Sequence, residues 1–263
     1  MTEPASDLKQ QLEGLWLKRH KPLASEADAV RFMNSVGFAL RYNATSSLPL
    51  AAMYKAAGDT RRAIELTNAL LASGEVIETN LIADRLVLIH RDIVPAVFAL
   101  RSKLRPAKQS ADAAQVLELI RMEGRATSGE VRRFLGVAGQ KRPDRGDIAL
   151  GELQRDLRID RGPSSVPKKG IPYLSPEGFP YRLFDTARPD IVKEAAKLLQ
   201  DAAAKLVIET YLRAAIFVTP RKLSSMFRLI LTDTQMTDAL EQLELDRKIS
   251  RTAKLISILR QGF

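Results

Sequence analysis

The sequence predicts a mainly α fold with short β-ribbons, built as tandem winged-helix (helix-turn-helix) domains. Two observations carry that. One succession of helix, short capped helix, third helix and two-stranded ribbon occurs twice, roughly a hundred residues apart. Apolar residues recur at helical spacing through most of the chain, interrupted by only a few short β-like runs. Three segments follow: 1–105, a helical N-terminal domain, winged-helix-like; 106–187, the first clear winged helix, with an enlarged wing; and 188–263, a C-terminal winged helix.

The elements follow in order. Leu8–Lys18 carries Leu8, Leu12, Leu15 and Trp16 on one side. Ser25 caps a second helix, with Asp28 three residues on. Leu48–Ala57 opens with Pro49 at its first helical position, and Asp59 caps Thr60–Leu71, which Gly74 ends. Arg85–Ile89 reads as a strand and Ile93–Leu100 as a short helix, after which Lys103–Ser110 is a polar linker.

In the second segment Asp112–Met122 is an amphipathic helix stopped by Gly124. Thr127, with Glu130 as its capping-box partner, opens a short helix that Gly136 ends. The turn Gly139–Arg145 leads into a third helix through Leu157, with Leu150, Leu153 and Leu157 on one side. Strands at Leu157–Asp160 and Tyr181–Phe184 bracket a proline-rich loop. In the third segment Ile191–Val218 reads as one long helix with a bend. Thr219–Phe227 and Asp233–Leu245 follow, then a ribbon from Lys248–Arg251 and Leu255–Leu259, the last of which could equally continue as helix.

Charge says where to look for function. The net charge is +10, unevenly spread: residues 1–100 hold 11 basic and 11 acidic side chains, and 101–170 hold 16 and 9. Concentrated positive charge attracts a polyanion, most commonly nucleic acid, the alternative being a basic surface that binds nothing. The third helix of the second segment is the element that enters the major groove in helix-turn-helix proteins. Opposite its leucines lie Asp144, Ile148, Gly151 and Arg155, and Lys141, Arg142 and Arg145 stand in the preceding turn. Asp147, Glu152 and Asp156 on the same helix oppose phosphate. The loop Arg161–Pro180 adds Arg161, Lys168 and Lys169, interleaved with Tyr173, Phe179 and Tyr181, a composition suited to backbone contacts and base stacking. The third helix of the last segment turns Asp238, Glu241 and Glu244 outward, which suits a structural or protein-contact role.

Other chemistries find little support. There is no cysteine, so disulfides, thiolate catalysis and iron–sulfur clusters are out, and with only His20 and His90 a zinc hydrolase is not expected. No phosphate-binding loop or Gly-rich dinucleotide turn is present. No cofactor or metal is expected. With no apolar run near ~20 residues and no signal peptide, the expected setting is a cytoplasmic monomer with double-stranded DNA as partner.

Certain stretches also resemble a known family: Val36-Gly37-Phe38-Ala39-Leu40, Leu48-Pro49-Leu50, Arg85-Leu86-Val87-Leu88-Ile89, Gly151-Glu152-Leu153-Gln154-Arg155-Asp156-Leu157 and Thr219-Pro220-Arg221-Lys222-Leu223. Across about residues 25–260 the chain resembles the AlkZ-like (YcaQ-like) winged-helix family of bacterial DNA glycosylases, more closely its AlkZ-related branch. The resemblance implies three winged-helix-like units around a concave DNA channel, and removal of alkylated or crosslinked purines. It also implies a Gln-x-Gln pair, placing the hydrolytic water, just after the helix that corresponds to Ala29–Gly37. This chain has no Gln-x-Gln; the matching stretch is Phe38-Ala39-Leu40-Arg41-Tyr42-Asn43. Ala39 cannot position water and Arg41 stays protonated. No catalytic residue carries over: either the activity is lost, or Arg41, Tyr42 and Asn43 do something different, such as gripping DNA, and Arg41 is counted among the DNA-binding residues. Three functions are therefore weighed: a non-catalytic DNA-binding protein contacting mainly the phosphate backbone, a glycosylase with an altered catalytic group, and a protein-interaction scaffold.

Overall fold

The computed structural model describes residues 23–42, 50–104, 109–163, 177–215 and 217–259. The predicted helix Leu8–Lys18 and the residues Lys168, Lys169 and Tyr173 lie outside them. The chain runs the same path three times. The first pass is α1 (Glu26–Val36), β1 (Phe38–Leu40), β2 (Ala51–Ala52), α2 (Met53–Ala57), α3 (Thr60–Ser73), β3 (Val76–Ile82) and β4 (Arg85–His90). The helix α4 (Val94–Lys103) closes it. The second is α5 (Ala111–Glu123), β5 (Ala126–Thr127), α6 (Ser128–Phe134), α7 (Arg145–Arg155), β6 (Ile159–Arg161) and β7 (Pro180–Leu183). After α8 (Phe184–Ala187) and α9 (Pro189–Ala195) comes the third: α10 (Gln200–Ala215), β8 (Phe217–Val218), α11 (Pro220–Phe227), α12 (Asp233–Leu245), β9 (Ile249–Arg251) and β10 (Ile256–Ile258).

Each pass closes a small antiparallel sheet in which the first strand pairs with the last: β1-β4-β3, β5-β7-β6 and β8-β10-β9, the first extended by β2 running parallel to β1. Local chemistry explains the helix starts. Ser25, Asp59, Thr127, Thr219 and Thr232 each accept a hydrogen bond from a first-turn amide. Thr127 with Glu130, and Asp144 with Asp147, form reciprocal capping boxes.

The structure corrects two elements and adds others, β1, β3, β5 and α8 among them. The helix expected over Leu48–Ala57 begins only at Met53, because Ala51 and Ala52 pair with Ala39 and Leu40 as a strand. The single helix expected over Ile191–Val218 is two: Lys197 and Leu198 close back on Glu194 and Ala195, which ends α9, and Phe217–Val218 joins the third sheet. The added strand β3 is buried along nearly its whole length on both faces, so it shows no alternation in sequence.

Apolar packing does not follow the chain segments. The second pass owns a core, with Val116, Ile120, Leu150, Leu153 and Tyr181. The first and third share one: Phe38, Leu40 and Val87 lie in the same cluster as Val207, Tyr211 and Phe227. The rings of Phe38 and Phe227 meet edge-on at 5.9 Å. The other side of the first sheet, including Ala39 and Leu88, packs on α1 and α3.

Gly37 shows how tight the junction between first and third passes is. Its φ is +68°, and a Cβ there would stand 2.4 Å from Thr210 Cγ2 on α10. Gly37→Ala should cost at least ~1–2 kcal/mol for the left-handed backbone alone, before the clash, and thermal melts should show it. No helix among the described residues is long and apolar enough to cross a membrane.

Candidate nucleic-acid interface

The helix α7 meets two different environments. Its N-terminal end is open. Lys141 and Arg142 are exposed in the turn before it, and Arg142 Nε lies 3.6 Å from Asp147 Oδ2. Arg145, the first residue of the helix, donates from Nε to Asp112 Oδ2 at 2.7 Å and keeps 62% of its side chain exposed. That hydrogen bond holds the Asp112 carboxyl below its usual range. Ile148, one turn on, is exposed too. Asp144, expected on the outward face, is instead the buried cap of the helix, its carboxylate held by Arg132 Nε at 2.5 Å.

The C-terminal half of α7 is covered. Thr79 Oγ1 donates to Gln154 O at 3.1 Å, Asn80 Nδ2 to Gly151 O at 3.3 Å, and Gln154 Nε2 to Glu78 O at 3.1 Å. The side opposite the leucines, read in sequence as free, is therefore docked on β3 of the first pass. Arg155 is half-buried, with Nη2 4.0 Å from Asp84 Oδ1, and its carbonyl accepts from Arg101 Nε. A Cβ on Gly151 would lie 3.7 Å from Asn80 Nδ2, an ordinary contact, so no close backbone approach depends on that glycine. A helical wheel identifies the side that packs in a helix's own unit and is blind to a neighbouring unit on the opposite side.

Arg41 and Arg161 are likewise displaced from their expected roles. Both turn inward onto Glu78 of β3. Arg41 Nη1 lies 2.5 Å from Glu78 Oε2, and Arg161 Nη1 and Nη2 lie 2.5 and 2.6 Å from its two oxygens. The three side chains are 1%, 5% and 0% exposed for Arg41, Arg161 and Glu78. The Phe179 ring stacks on this cluster, 3.7 Å from the Arg161 guanidinium carbon and 5.2 Å from that of Arg41. Burial lifts the Glu78 carboxyl to about 7 against the opposing pull of Arg41. The Nε atoms of both arginines are buried without a hydrogen-bond partner among the described residues. Neither guanidinium reaches solvent, so neither meets a phosphate while this cluster is intact. Sequence reasoning missed Glu78 because a lone glutamate in an unrecognised strand carries no signal.

Phe179 is set by a clasp. Ser128 N donates to Phe179 O, Phe179 N donates to Ser128 Oγ, and Arg133 holds Glu177 through two hydrogen bonds of 3.0 and 2.9 Å. The base of the long loop is thus fixed on α6. In the third pass Asp238, Glu241 and Glu244 are exposed on α12 as expected, while Lys248 is tied to Glu209 at 2.8 Å.

Of the predicted site cations among the described residues, Lys141, Arg142 and Arg145 are the exposed ones, with Asp112 competing for Arg145 and Asp147 near Arg142. Asp112→Asn should release Arg145 and tighten duplex DNA binding severalfold at low salt, read by fluorescence anisotropy.

A family model described as DNA glycosylase AlkZ-like matches residues 57–253, a stretch that enters all three passes. Among solved structures, the DNA glycosylase AlkZ of Streptomyces sahachiroi superposes on 98% of this chain and 70% of its own, with a TM-score of 0.55 at 13% identity, a likeness of fold. No curated protein matches the chain.

Proposed function

Because the chain belongs to the AlkZ-like DNA glycosylase family, we propose that it binds double-stranded DNA, mainly through the phosphate backbone, and excises no base. On this reading the three passes are winged helices and the chain works as a cytoplasmic monomer. The observation that carries it is the environment of β1. Phe38 and Leu40 lie in the core shared with the third pass, Ala39 in the core beneath α1 and α3, and all three are buried. The next side chain, Arg41, is locked on Glu78. Within β1 and at Arg41 no polar group is presented to hold a water, and excision by hydrolysis requires one positioned for attack. Binding is supported by the exposed Lys141, Arg142 and Arg145 within the most basic stretch of the chain.

The test has two arms. Anisotropy with a labelled duplex should show binding that weakens steeply with salt. Incubation with duplex bearing alkylated purines, followed by alkali, should leave the strands intact. Strand breaks would overturn the non-catalytic reading, and no binding at low salt would overturn the DNA-binding one.

A further inference from the structure

A cleft of about 300 Å³ opens at the far end of α7 from the basic turn. It lies between α4, α5 and the segments that follow α7 and β7. The 11 residues of α7 put its two ends ~16 Å apart, so this cleft is separate from the candidate DNA surface. Its volume is at the lower end of small-molecule sites, about 300–1,000 Å³.

The lining is amphipathic in a specific way. Phe98 and Phe184 stack with centroids 5.1 Å apart and planes 15° apart, and the half-buried Leu183 stands beside them in the lining. Arg101 is fixed by its ion pair with Asp156 and by donating to Arg155 O, so that pair is internally neutral. The rim keeps Arg121, Arg158 and Asp185. Arg121 shares Glu118, whereas Arg158 is exposed and pairs with no described residue. An aromatic and aliphatic lining with a guanidinium on its rim that pairs with no described residue offers contact to a flat apolar body and one charge-assisted hydrogen bond to an anion.

We infer that this cleft binds a small planar aromatic ligand carrying one anionic group, with the phosphate or carboxylate on Arg158 and the ring against Phe98 and Leu183. The inference does not depend on the DNA reading, since it uses neither Lys141, Arg142 nor Arg145. Two sources share the chemistry: a nucleoside monophosphate and an aromatic carboxylate.

Calorimetric titration with adenosine monophosphate, naphthalene-2-carboxylate and ribose 5-phosphate distinguishes them. At least one of the two aromatic anions should bind with a dissociation constant of about 1 mM or below, and ribose 5-phosphate, which has no ring to stack, should not. Arg158→Glu, at an exposed position, should weaken binding about tenfold or more. Leu183→Trp should fill the cleft and abolish it. Melting temperatures and circular dichroism of both variants establish that they are folded. Failure of both aromatic ligands to saturate the wild-type protein overturns the inference. So does equal binding of ribose 5-phosphate, or binding that survives either substitution in a folded variant.

Discussion

Glu78→Ala should lower the unfolding free energy by ~3–5 kcal/mol, the largest single-residue effect expected in this protein. The substitution leaves the Arg41 and Arg161 guanidiniums, 1% and 5% exposed, facing a space with no counter-charge. A buried charge without its partner forfeits its hydration and recovers nothing for it. Total stability is about 5–15 kcal/mol for an ordinary domain, so the variant should denature at clearly lower urea. The companion experiment separates the pair's geometry from its charge. Replacing all three by apolar residues of similar size, Arg41→Met, Glu78→Leu and Arg161→Met, should restore most of the loss, because the cluster's attraction roughly offsets its desolvation. A triple variant as unstable as Glu78→Ala would mean that the ions themselves, and not merely relief of an unpaired buried charge, hold the first and second passes together.

The second large effect concerns binding. Lys141→Glu and Arg142→Glu combined with Arg145→Gln should weaken duplex affinity on the order of a hundredfold at low salt, from charges of about 1 kcal/mol each in a screened setting. The slope of log K against log salt should become shallower by about 0.9 for each phosphate that is no longer neutralised, roughly 2.7 for three. All three side chains are exposed, and none lies in an apolar core. The melting temperature should therefore hold, and the change reports on binding. An unchanged slope would place the DNA-binding surface elsewhere on the molecule.

Much of the fold was legible because helix starts are written locally. Thr127 with Glu130 and Thr219 before Pro220 state their caps within four residues, and α12 spans the predicted Asp233–Leu245. The strand β3 was not legible. Strands buried on both faces lose the period-two pattern, and Glu78 and Asn80 interrupt the apolar run of this one. The candidate site was legible only in part. Lys141, Arg142 and Arg145 are exposed where a basic turn was expected. Arg41, Arg155 and Arg161 carry the same side chain and occupy different worlds, two in a buried cluster and one against Asp84.

What this sequence determined alone is each unit's inner chemistry: which residues cap, which leucines point inward, and that one stretch is strongly basic. These depend on neighbours within one or two turns. Which of those cations meets solvent was decided by the tertiary structure, when β3 docked on α7 and Glu78 drew in two arginines 37 and 83 residues away. A guanidinium's role follows from the charge and water within ~4 Å of it, and at such sequence separations only the folded chain supplies those neighbours.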